Sequence, residues 1–302
     1  MRIVVTGATG LIGRALTENL LRDGHDVIAL VRSATRVGAR LGSARILEWD
    51  PMTGPPPASA LENADAVVHL AGEPVADRPW SENQKARIRD SRVIGTRNLV
   101  NGMRAAANPA PVLVSGSAIG YYGDRGDELL DEQSSNGSDF LADVCSAWEA
   151  EAAKATQFGT RVVALRTGII LAAQAGALPK LVLPFRLFAG GPLGHGRQWM
   201  SWIHLFDEVG LIRHAIEKPD VSGPMNATAP ESMGNRHFAS TLGKVLGRPS
   251  IFPTPRFALD IILGERVQVL LASQRVQPRV AERTGYQFRF PELRPALRDL
   301  LG

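Results

Sequence analysis

The chain of 302 residues contains one cysteine, Cys145, and no long apolar run. A single cysteine cannot form an intramolecular disulfide, which fits a reducing compartment. No uninterrupted apolar stretch approaches the roughly 20 residues of a membrane-spanning helix, and no basic-then-apolar leader precedes the first apolar run. These absences predict a cytoplasmic protein without a membrane partner.

The sequence also lacks a block of positive charge, although its formal net charge is +4 and its pI is about 9.6. Lys and Arg are most frequent in residues 85–97, where Asp90 interrupts them. Nucleic-acid binding requires a basic face with aromatic or motif support, and we find neither. The six histidines and the cysteine show no metal-ligand spacing such as His-Glu-x-x-His. We therefore predict no nucleic-acid partner and no metal.

What the chain does have is a glycine-rich turn near its start. An apolar run at residues 3–5 enters a turn with Gly7, Gly10 and Gly13, and a helical pattern and a second apolar run at residues 27–31 follow. In such a βαβ unit the amides at the helix start hold a pyrophosphate, aided by the helix dipole. Gly7 permits the turn, Gly10 lets phosphates approach the backbone, and Gly13 lets helix and strand pack closely. The pattern predicts a nucleotide-cofactor site, and a merely structural turn is the alternative.

The end of the second apolar run indicates which cofactor binds. NAD-preferring sites place Asp or Glu there, where the carboxylate accepts hydrogen bonds from the ribose 2′-hydroxyl. This chain has Arg32 and Ser33, with Arg36 one helical turn later and no acid before Glu48. A guanidinium can bind a 2′-phosphate bidentately. NADP(H) is therefore favoured over NAD(H), unless Arg32 is only a solvated surface cation.

Apolar strand candidates and helical segments alternate through about residue 170. The strand candidates are residues 3–5, 27–31, 44–49, 66–70, 111–115 and 161–165. This alternation predicts an α/β fold with a Rossmann-type doubly wound parallel sheet. We expect residues 1–175 to form an NADP-binding Rossmann domain. Residues 176–302, where the alternation loosens and residues 199–203 form a further strand-like run, are predicted to be a smaller, mostly helical C-terminal substrate lobe. This lobe includes an extension at about 250–302 and can return strands or helices to the first lobe.

Several segments resemble the extended short-chain dehydrogenase/reductases, namely residues 6–13, 69–72, 114–118 and 121–123. Within that superfamily the chain more closely resembles an atypical branch, the NAD-dependent epimerase/dehydratase-like "epimerase family" proteins. The segments that carry this closer resemblance are residues 184–186, 190–194, 202–204, 226–230 and 273–278. The resemblance covers nearly the whole chain, and it implies an NADP(H) site with an unsettled substrate.

The resemblance also implies chemistry by a Ser, a Tyr and a Lys, with the last two at Tyr-x-x-x-Lys spacing. The tyrosinate exchanges the hydroxyl proton, while the lysine lowers the pKa of the tyrosine and holds the ribose. The helical segment that should carry this pair has Val144 with Trp148 in one register and Cys145 with Glu149 in the other. The usual acid–base pair is therefore missing.

Other residues must then supply the catalytic groups, if there is catalysis. Ser117 lies where the resemblance places the serine, and Tyr121 and Tyr122 follow the fifth strand, at the carboxyl edge where ligands bind. These three are our catalytic candidates. Glu149 is an alternative acid that is more often a solvated or paired surface residue, and Cys145 lacks a nearby His that would activate it.

The expected cofactor contacts lie in the glycine-rich turn, after the second strand, and after the fourth, fifth and sixth strands. They are Gly7, Thr9, Gly10, Leu11, Ile12, Gly13, Arg32, Ser33, Arg36, Leu70, Ala71, Gly72, Glu73, Ser115, Thr167 and Gly168. Arg197, Trp199 and His204 surround a glycine-rich loop that faces the substrate in the extended enzymes. Arg197 suggests a carboxylate or phosphate on the ligand, whereas His204 with Asp207 can simply order the start of a helix.

Two functions fit these observations. The first is an NADP(H)-dependent oxidoreductase or epimerase that acts on a small polar hydroxyl or carbonyl compound, with a nucleotide sugar as one candidate substrate. The second is a non-catalytic NADP(H)-binding redox sensor or regulatory protein, which the missing Tyr–Lys pair favours. A homodimer through helices at residues 80–107 and 138–158 is compatible with either function. Fold alone does not decide between them.

Overall fold

The architecture comes from a computed structural model, which describes residues 1–35 and 37–302. The strands are β1 Arg2–Thr6, β2 Asp26–Val31, β3 Arg45–Glu48, β4 Ala66–His69, β5 Val112–Ala118, β6 Leu129–Leu130, β7 Arg161–Thr167, β8 Ile169–Leu171, β9 Trp199–Met200, β10 Trp202–His204, β11 Gly223–Ala227, β12 Met233–Gly234 and β13 Arg275–Val276. The α-helices are α1 Leu11–Arg22, α2 Ala58–Leu61, α3 Glu82–Ala105, α4 Phe140–Ala153, α5 Ala177–Arg186, α6 Leu205–Glu217, α7 Asn235–Leu246, α8 Arg256–Leu263, α9 Val267–Leu271, α10 Arg279–Arg283 and α11 Leu293–Leu301. Short 3₁₀ helices cover Gly38–Leu41, Ile119–Tyr122, Lys154–Phe158 and Gly264–Arg266.

A seven-stranded parallel sheet in the order β11-β7-β5-β4-β1-β2-β3 forms the centre of the molecule. The predicted doubly wound α/β fold is confirmed. Continuous apolar runs such as β4, in which every residue is buried, are typical of a parallel sheet covered on both faces. The sequence predicted six of these strands and missed β11. This edge strand begins Gly223-Pro224, and Pro is tolerated at a sheet edge although it weakens any strand pattern.

Two apolar layers cover the sheet. On one face Leu16 of α1 and Leu211 of α6 join Ile3 and Val5 in a buried core. On the other face Leu99 and other side chains of α3, together with the end of α4, pack on strand residues of the opposite alternation. Because side chains alternate across a strand, neighbouring residues of one strand enter different cores.

A third apolar core lies in the C-terminal half, between α5, α7 and α11, and includes Val182, Phe238 and Leu297. The helix at Ala177–Arg186 was not predicted, because two prolines within it weaken the helical pattern. The segment at residues 199–203 is not one strand, as predicted, but β9 and β10, which pair with β12 and β8 in separate small sheets. Two elements beyond residue 176 belong to the central part of the fold. Helix α6 packs in the same core as α1, and β11 pairs with β7 at the edge of the central sheet.

The topology brings the carboxyl ends of β1, β4, β5 and β7 to one edge of the sheet. The strand order reverses between β1 and β4, and ligands of open α/β sheets bind in the crevice outside such a switch point. Among the residues described, none of the helices combines the length and the apolarity that crossing a bilayer requires.

Candidate active site at the carboxyl edge of the sheet

The glycine-rich turn between β1 and α1 forms a cradle that side chains would fill. Gly7 has φ +68°, and a Cβ there would lie 2.7 Å from the carbonyl carbon of Leu70. A Cβ on Gly13 would overlap the carbonyl oxygen of Gly7, so helix and strand can touch only because both residues are glycines. Gly10 caps α1 without a side-chain hydrogen bond. The first amides of α1 therefore remain open, as a pyrophosphate site requires.

The predicted amide donors of this turn are accessible. Thr9 and Gly10 are exposed, and Leu11 and Ile12 at the start of α1 are half-buried. Gly13, by contrast, is buried, so its contribution is the close packing of the helix and not contact with a ligand. The turn fits a nucleotide diphosphate.

The end of β2 offers a free cation. Arg32 is exposed and forms no ion pair with residues 1–35 or 37–302. Ser33 shares a hydrogen bond of 2.9 Å with Thr35, and the carboxylate of Glu48 accepts the amide proton of Ala34 at 2.7 Å. Glu48 is thus engaged with the backbone, while Arg32 remains available for a 2′-phosphate. Arg36 lies outside the described residues.

The edge after β4 is organised by a buried histidine. The Thr6 hydroxyl lies 2.7 Å from Nδ1 of His69 and accepts the amide proton of Ala71 at 3.2 Å. Burial, and secondarily the Arg92 charge, lower the pKa of His69 to about 4, so the ring is neutral at pH 7. This bond fixes the predicted Leu70–Ala71 segment beside the glycine-rich turn, where Leu70 approaches Gly7.

The next two predicted residues of this edge, Gly72 and Glu73, face α3. Gly72 is exposed and Glu73 is half-buried. The Glu73 carboxylate accepts a hydrogen bond of 3.3 Å from the side chain of Gln84, and its amide donates to Ser91. Glu73 is therefore bonded to α3, and its second carboxylate oxygen accepts no hydrogen bond from the described residues.

A charged network connects β5, α4 and β7. The Ser117 hydroxyl donates to Oε1 of Glu149 at 2.6 Å, and Nε and Nη2 of Arg166 donate to the two oxygens of the same carboxylate at 2.8 Å each. Both members of the ion pair are largely buried, with 3% of the Arg166 side chain and 15% of the Glu149 side chain exposed. Bidentate pairs of this kind are strong and fix geometry. Glu149 is thus a partner of Ser117 and not a solvated surface acid.

The two adjacent tyrosines differ in what their hydroxyls do. Tyr122 is fully buried, donates to Asn226 at 2.7 Å and accepts from Arg166 at 3.0 Å. Burial raises the pKa of Tyr122 to about 12, which makes this hydroxyl a poor proton donor. Tyr121 is half-buried, and its hydroxyl forms no hydrogen bond within the described chain. The Arg166 guanidinium lies 3.4 Å from the Tyr121 ring centroid. Of the two, only Tyr121 is free to exchange a proton with a ligand.

Sequence reasoning missed Arg166 and Asn226. The detectable signal for Arg166 was an arginine inside an otherwise apolar central strand, because a buried charge needs a partner. Asn226 lies on the unpredicted strand β11. It belongs to the segment 226–230 that carries the family resemblance, but that resemblance assigned it no role. Cys145 is buried, and burial raises its pKa to about 11, which agrees with the expectation that it is not a nucleophile.

A buried acid forms a hydrogen bond with the last residue of β7. The Thr167 hydroxyl donates to Glu208 at 2.8 Å, and Glu208 is fully buried, so that its pKa is raised to about 8. A Cβ on Gly168 would lie 2.6 Å from the carbonyl oxygen of Ser201, so this turn needs glycine. Thr167 and Gly168, two of the predicted cofactor contacts, are half-buried at the edge. Ser115 is fully buried inside β5, so its position gives no support to the predicted contact with the cofactor.

Arg197 and Trp199 line one pocket of about 540 Å³. The Trp199 indole donates to Asp127 at 2.8 Å. The other side chains of its wall are mainly cationic or polar: Arg236, His237, Ser240 and Lys244. Neither Arg197, Arg236 nor Lys244 has an ion-pair partner in the part of the chain that the structure describes. The pocket is therefore positively charged and suits an anionic group.

His204 does not join this pocket. Its Nδ1 accepts the amide proton of Phe206 at the start of α6, and its ring stacks on Phe290 with centroids 4.0 Å apart. Nε2 lies 3.3 Å from Asp299. The structure thus confirms the reading of His204 as a helix-ordering residue, and its position does not support the substrate role. No group of three or more His, Cys, Asp or Glu side chains in the described ranges is placed to hold a metal ion.

Comparisons with known proteins add an independent line of evidence. Residues 3–227 match the model of the NAD dependent epimerase/dehydratase family, and residues 254–300 match a domain of unknown function, DUF1731. The chain is 39% identical, over its whole length and 87% of the other protein, to the epimerase family protein SDR39U1 homolog, chloroplastic, of Arabidopsis thaliana.

Two solved structures share both fold and sequence with this chain. Human epimerase family protein SDR39U1 (isoform 2), solved with NADPH, has 34% identity and a TM-score of 0.87, with 99% of each chain covered. The nucleoside-diphosphate sugar epimerase of Corynebacterium glutamicum has 36% identity and a TM-score of 0.80, with 99% of this chain and 58% of that one covered. The resemblance that the sequence motifs indicated is confirmed.

Proposed function

Because the chain belongs to the NAD-dependent epimerase/dehydratase family, we propose that it is an NADP(H)-dependent oxidoreductase or epimerase acting on a small polar hydroxyl or carbonyl compound. The cofactor part of the proposal rests on the glycine cradle, the open amides of α1, and Arg32, which forms no ion pair with the residues described. The human relative solved with NADPH is consistent with it. When bound, NADP(H) would donate or accept a hydride at its nicotinamide C4.

The observation that carries the catalytic part is the arrangement of Tyr121, Ser117, Glu149 and Arg166. The Arg166 guanidinium lies 3.4 Å from the centroid of the Tyr121 ring, and this cation–π contact holds the ring in place. In this proposal Arg166 positions the tyrosine at a site that lacks the usual lysine. Tyr121 has the role of the missing tyrosine and exchanges the proton of the substrate oxygen.

Ser117 positions the substrate oxygen in this scheme. Its own proton is directed to Glu149, and its oxygen is the acceptor that this proposal assigns to a substrate hydroxyl. Ser117 is buried and also lies beside Cys145, so the substrate oxygen would have to approach it closely. Two hydrogen bonds from Arg166 fix the position of the Glu149 carboxyl group, and this keeps the direction of the Ser117 hydroxyl constant. The network thus orients the substrate while Tyr121 transfers the proton.

The cationic pocket around Arg197 favours a substrate with a phosphate or carboxylate group. Its wall carries one carboxylate, Asp127, and three cations, Arg197, Arg236 and Lys244, that have no ion-pair partner among the described residues. The pocket calls for an anionic group, and the proposed chemistry calls for a hydroxyl or carbonyl. A nucleotide sugar has both, since it combines a diphosphate with sugar hydroxyls. The similarity to a nucleoside-diphosphate sugar epimerase is consistent with this class.

A screen of carbonyl compounds and nucleotide sugars, followed by NADPH absorbance, tests the proposal. With any substrate found, Tyr121→Phe should lower kcat by roughly 100-fold or more, because a positioned acid–base group contributes about 10²–10⁴. Ser117→Ala should lower kcat/KM as well. Tyr286→Phe is the matched control, since this tyrosine bonds to Asp207 in the C-terminal half, and it should leave turnover unchanged. Full turnover by Tyr121→Phe would remove Tyr121 from the mechanism.

A non-catalytic NADP(H)-binding sensor is the second candidate, and one observation favours it. The polar groups of the network satisfy one another, since Ser117 donates to Glu149 and Tyr122 donates to Asn226. A site that is saturated internally binds a reacting group weakly. NADPH binding without turnover of any screened compound would support the sensor, whereas absence of NADPH binding would reject both functions.

A further inference from the structure

Arg92 of α3 is a half-buried cation that forms no ion pair with residues 1–35 or 37–302. Its Nη1 donates to the carbonyl oxygens of Glu73 and Ile88, at 3.0 Å each. Its Nε and Nη2 donate no hydrogen bond to the described residues, although they carry three N–H groups. An arginine that is anchored at one nitrogen and free at the others is suited to bind an oxygen-rich ligand.

The free side of Arg92 lies at the carboxyl edge of the sheet. Its Cζ is 3.2 Å from the position of a Cβ on Gly72, so a side chain there would crowd the guanidinium. Its charge also lies 5.0 Å from the centre of the Trp148 ring. Nε and Nη2 of Arg92 have no hydrogen-bond partner among the described residues, yet neither atom is fully enclosed by protein. Their N–H groups therefore reach accessible space.

The charges that face Arg92 do not neutralise it at contact distance. Burial lowers the pKa of Arg92, and the nearest groups that oppose this effect are the thiol of Cys145 and the carboxylate of Glu73. Cys145 has its pKa raised by burial, and Glu73 forms no ion pair with Arg92 among the described residues. The guanidinium is therefore not held by a carboxylate and can bind a ligand anion.

The neighbours of Arg92 explain why this charge matters for the site. Trp148 and Cys145 occupy two of the α4 positions at which the family resemblance implies the tyrosine or the lysine that holds the cofactor ribose. Trp148 packs under β5, where a Cβ on Gly116 would lie 2.9 Å from its ring. Arg92 of α3 thus places a positive charge beside the α4 positions where the expected lysine is absent.

We propose that Arg92 donates hydrogen bonds from Nε and Nη2 to the nicotinamide-side ribose and diphosphate oxygens of NADP(H). The inference rests on the proposed NADP(H) site and adds a binding residue to it. In this arrangement the two arginines bind different halves of the cofactor. Arg32 binds the 2′-phosphate of the adenosine half, and Arg92 binds the nicotinamide half.

Binding measurements with two probes test this division. Fluorescence or calorimetric titration gives the Kd of NADPH and of 2′,5′-ADP, which contains only the adenosine half of the cofactor. Arg92→Gln should weaken NADPH binding by roughly 10-fold or more and leave 2′,5′-ADP binding unchanged. Arg92→Lys should restore part of the NADPH affinity. Arg89→Gln is the matched control, because Arg89 lies on the same helix, is exposed and pairs with Asp90.

The outcomes separate this inference from the proposed function. If wild-type protein does not bind NADPH, the proposed cofactor site itself fails. If it binds, but Arg92→Gln has the wild-type NADPH affinity, Arg92 is not a cofactor ligand. Equal weakening of NADPH and 2′,5′-ADP would also overturn the assignment, and an unchanged Tm for Arg92→Gln ensures that the loss does not come from unfolding.

Discussion

The cofactor turn and the Ser117–Arg166 network lie at the same edge of the sheet but are built in opposite ways. The turn is local, since Gly7, Gly10 and Gly13 lie within one βαβ unit and their spacing determines the geometry. The network joins β5, α4, β7 and β11, and its hydrogen bonds connect residues 17 to 104 positions apart. A local motif can be recognised in a sequence, whereas a network of distant residues becomes visible only when the chain is folded.

The two regions also differ in how they tolerate change. The turn depends on the absence of side chains, so any added atom meets backbone. The network depends on charge balance, so a change is harmful when it leaves one partner behind and less harmful when it removes both. Substitutions in each region can test this difference.

Gly13→Val should have the largest effect. The added side chain would overlap the backbone of Gly7 and Ala8, which cannot move without opening the β1–α1 contact. We expect a loss of more than about 3 kcal/mol of stability, above the usual range for an overpacked core, and no measurable NADPH binding. Urea denaturation and NADPH titration measure both quantities.

The matched control for this prediction is Gly24→Ala, in the turn that follows the other end of α1. Gly24 has φ +78° and open space around its Cβ position, so the substitution should cost only about 1 kcal/mol of backbone strain. A Gly13→Val protein as stable as Gly24→Ala would contradict the close-packing role of Gly13.

Arg166→Met should have the second largest effect. The substitution leaves the Glu149 carboxylate largely buried without its partner, which typically destabilises a protein by about 3–5 kcal/mol. The double variant Arg166→Met/Glu149→Gln removes both charges and should be more stable than Arg166→Met alone. A double-mutant cycle from urea denaturation measures the coupling, and simple additivity of the two changes would show that the ion pair is not a structural unit.

The same contrast explains what could be read from the sequence. β1, β2, β4, β5 and β7 were predicted because each is a continuous apolar run. The strand β11 was not, since Gly-Pro at its start and an Asn within it hide the strand pattern. Its addition to the sheet edge is decided by pairing with β7, a tertiary contact between segments far apart in the sequence.

The candidate site divides in the same manner. Ser117 was named from the family resemblance, and Tyr121 from its place after the fifth strand. Arg166 was overlooked because its role depends on Glu149 and Tyr122, which come from different elements. Acid residues in the first turn of a helix usually stabilise the helix dipole in solvent, and only the fold shows that Glu208 is buried there.

The buried Glu208 should make the stability of the protein depend on pH. Its pKa is raised from 4.5 to about 8 in the folded protein, so between these values only the unfolded chain releases this proton. The free energy of unfolding therefore falls as pH rises from about 5 to 8. One pKa unit corresponds to about 1.4 kcal/mol. The free energy of unfolding of Glu208→Gln should therefore fall less than that of the wild type between pH 5 and 8, by on the order of 3 kcal/mol.

Urea denaturation at several pH values measures this difference. The matched control is Glu217→Gln, an exposed acid on the same helix, and its pH profile should follow the wild type. If Glu208→Gln and the wild type lose stability in parallel, Glu208 is already ionised in the folded protein at pH 5.

Arg32→Ala should have the smallest effect, and it tests whether the local region is as self-contained as its sequence indicates. Arg32 is exposed and unpaired among the described residues, so its removal leaves no partner behind and should not change Tm. NADPH affinity should fall by roughly 10- to 100-fold, because one bidentate contact to the 2′-phosphate is lost, whereas NADH affinity should stay the same. Arg45→Ala is the matched control, an exposed arginine at the start of β3, away from the carboxyl edge. Equal loss of NADPH and NADH affinity would mean that Arg32 does not read the phosphate, and that selectivity, like catalysis, depends on residues distant in the sequence.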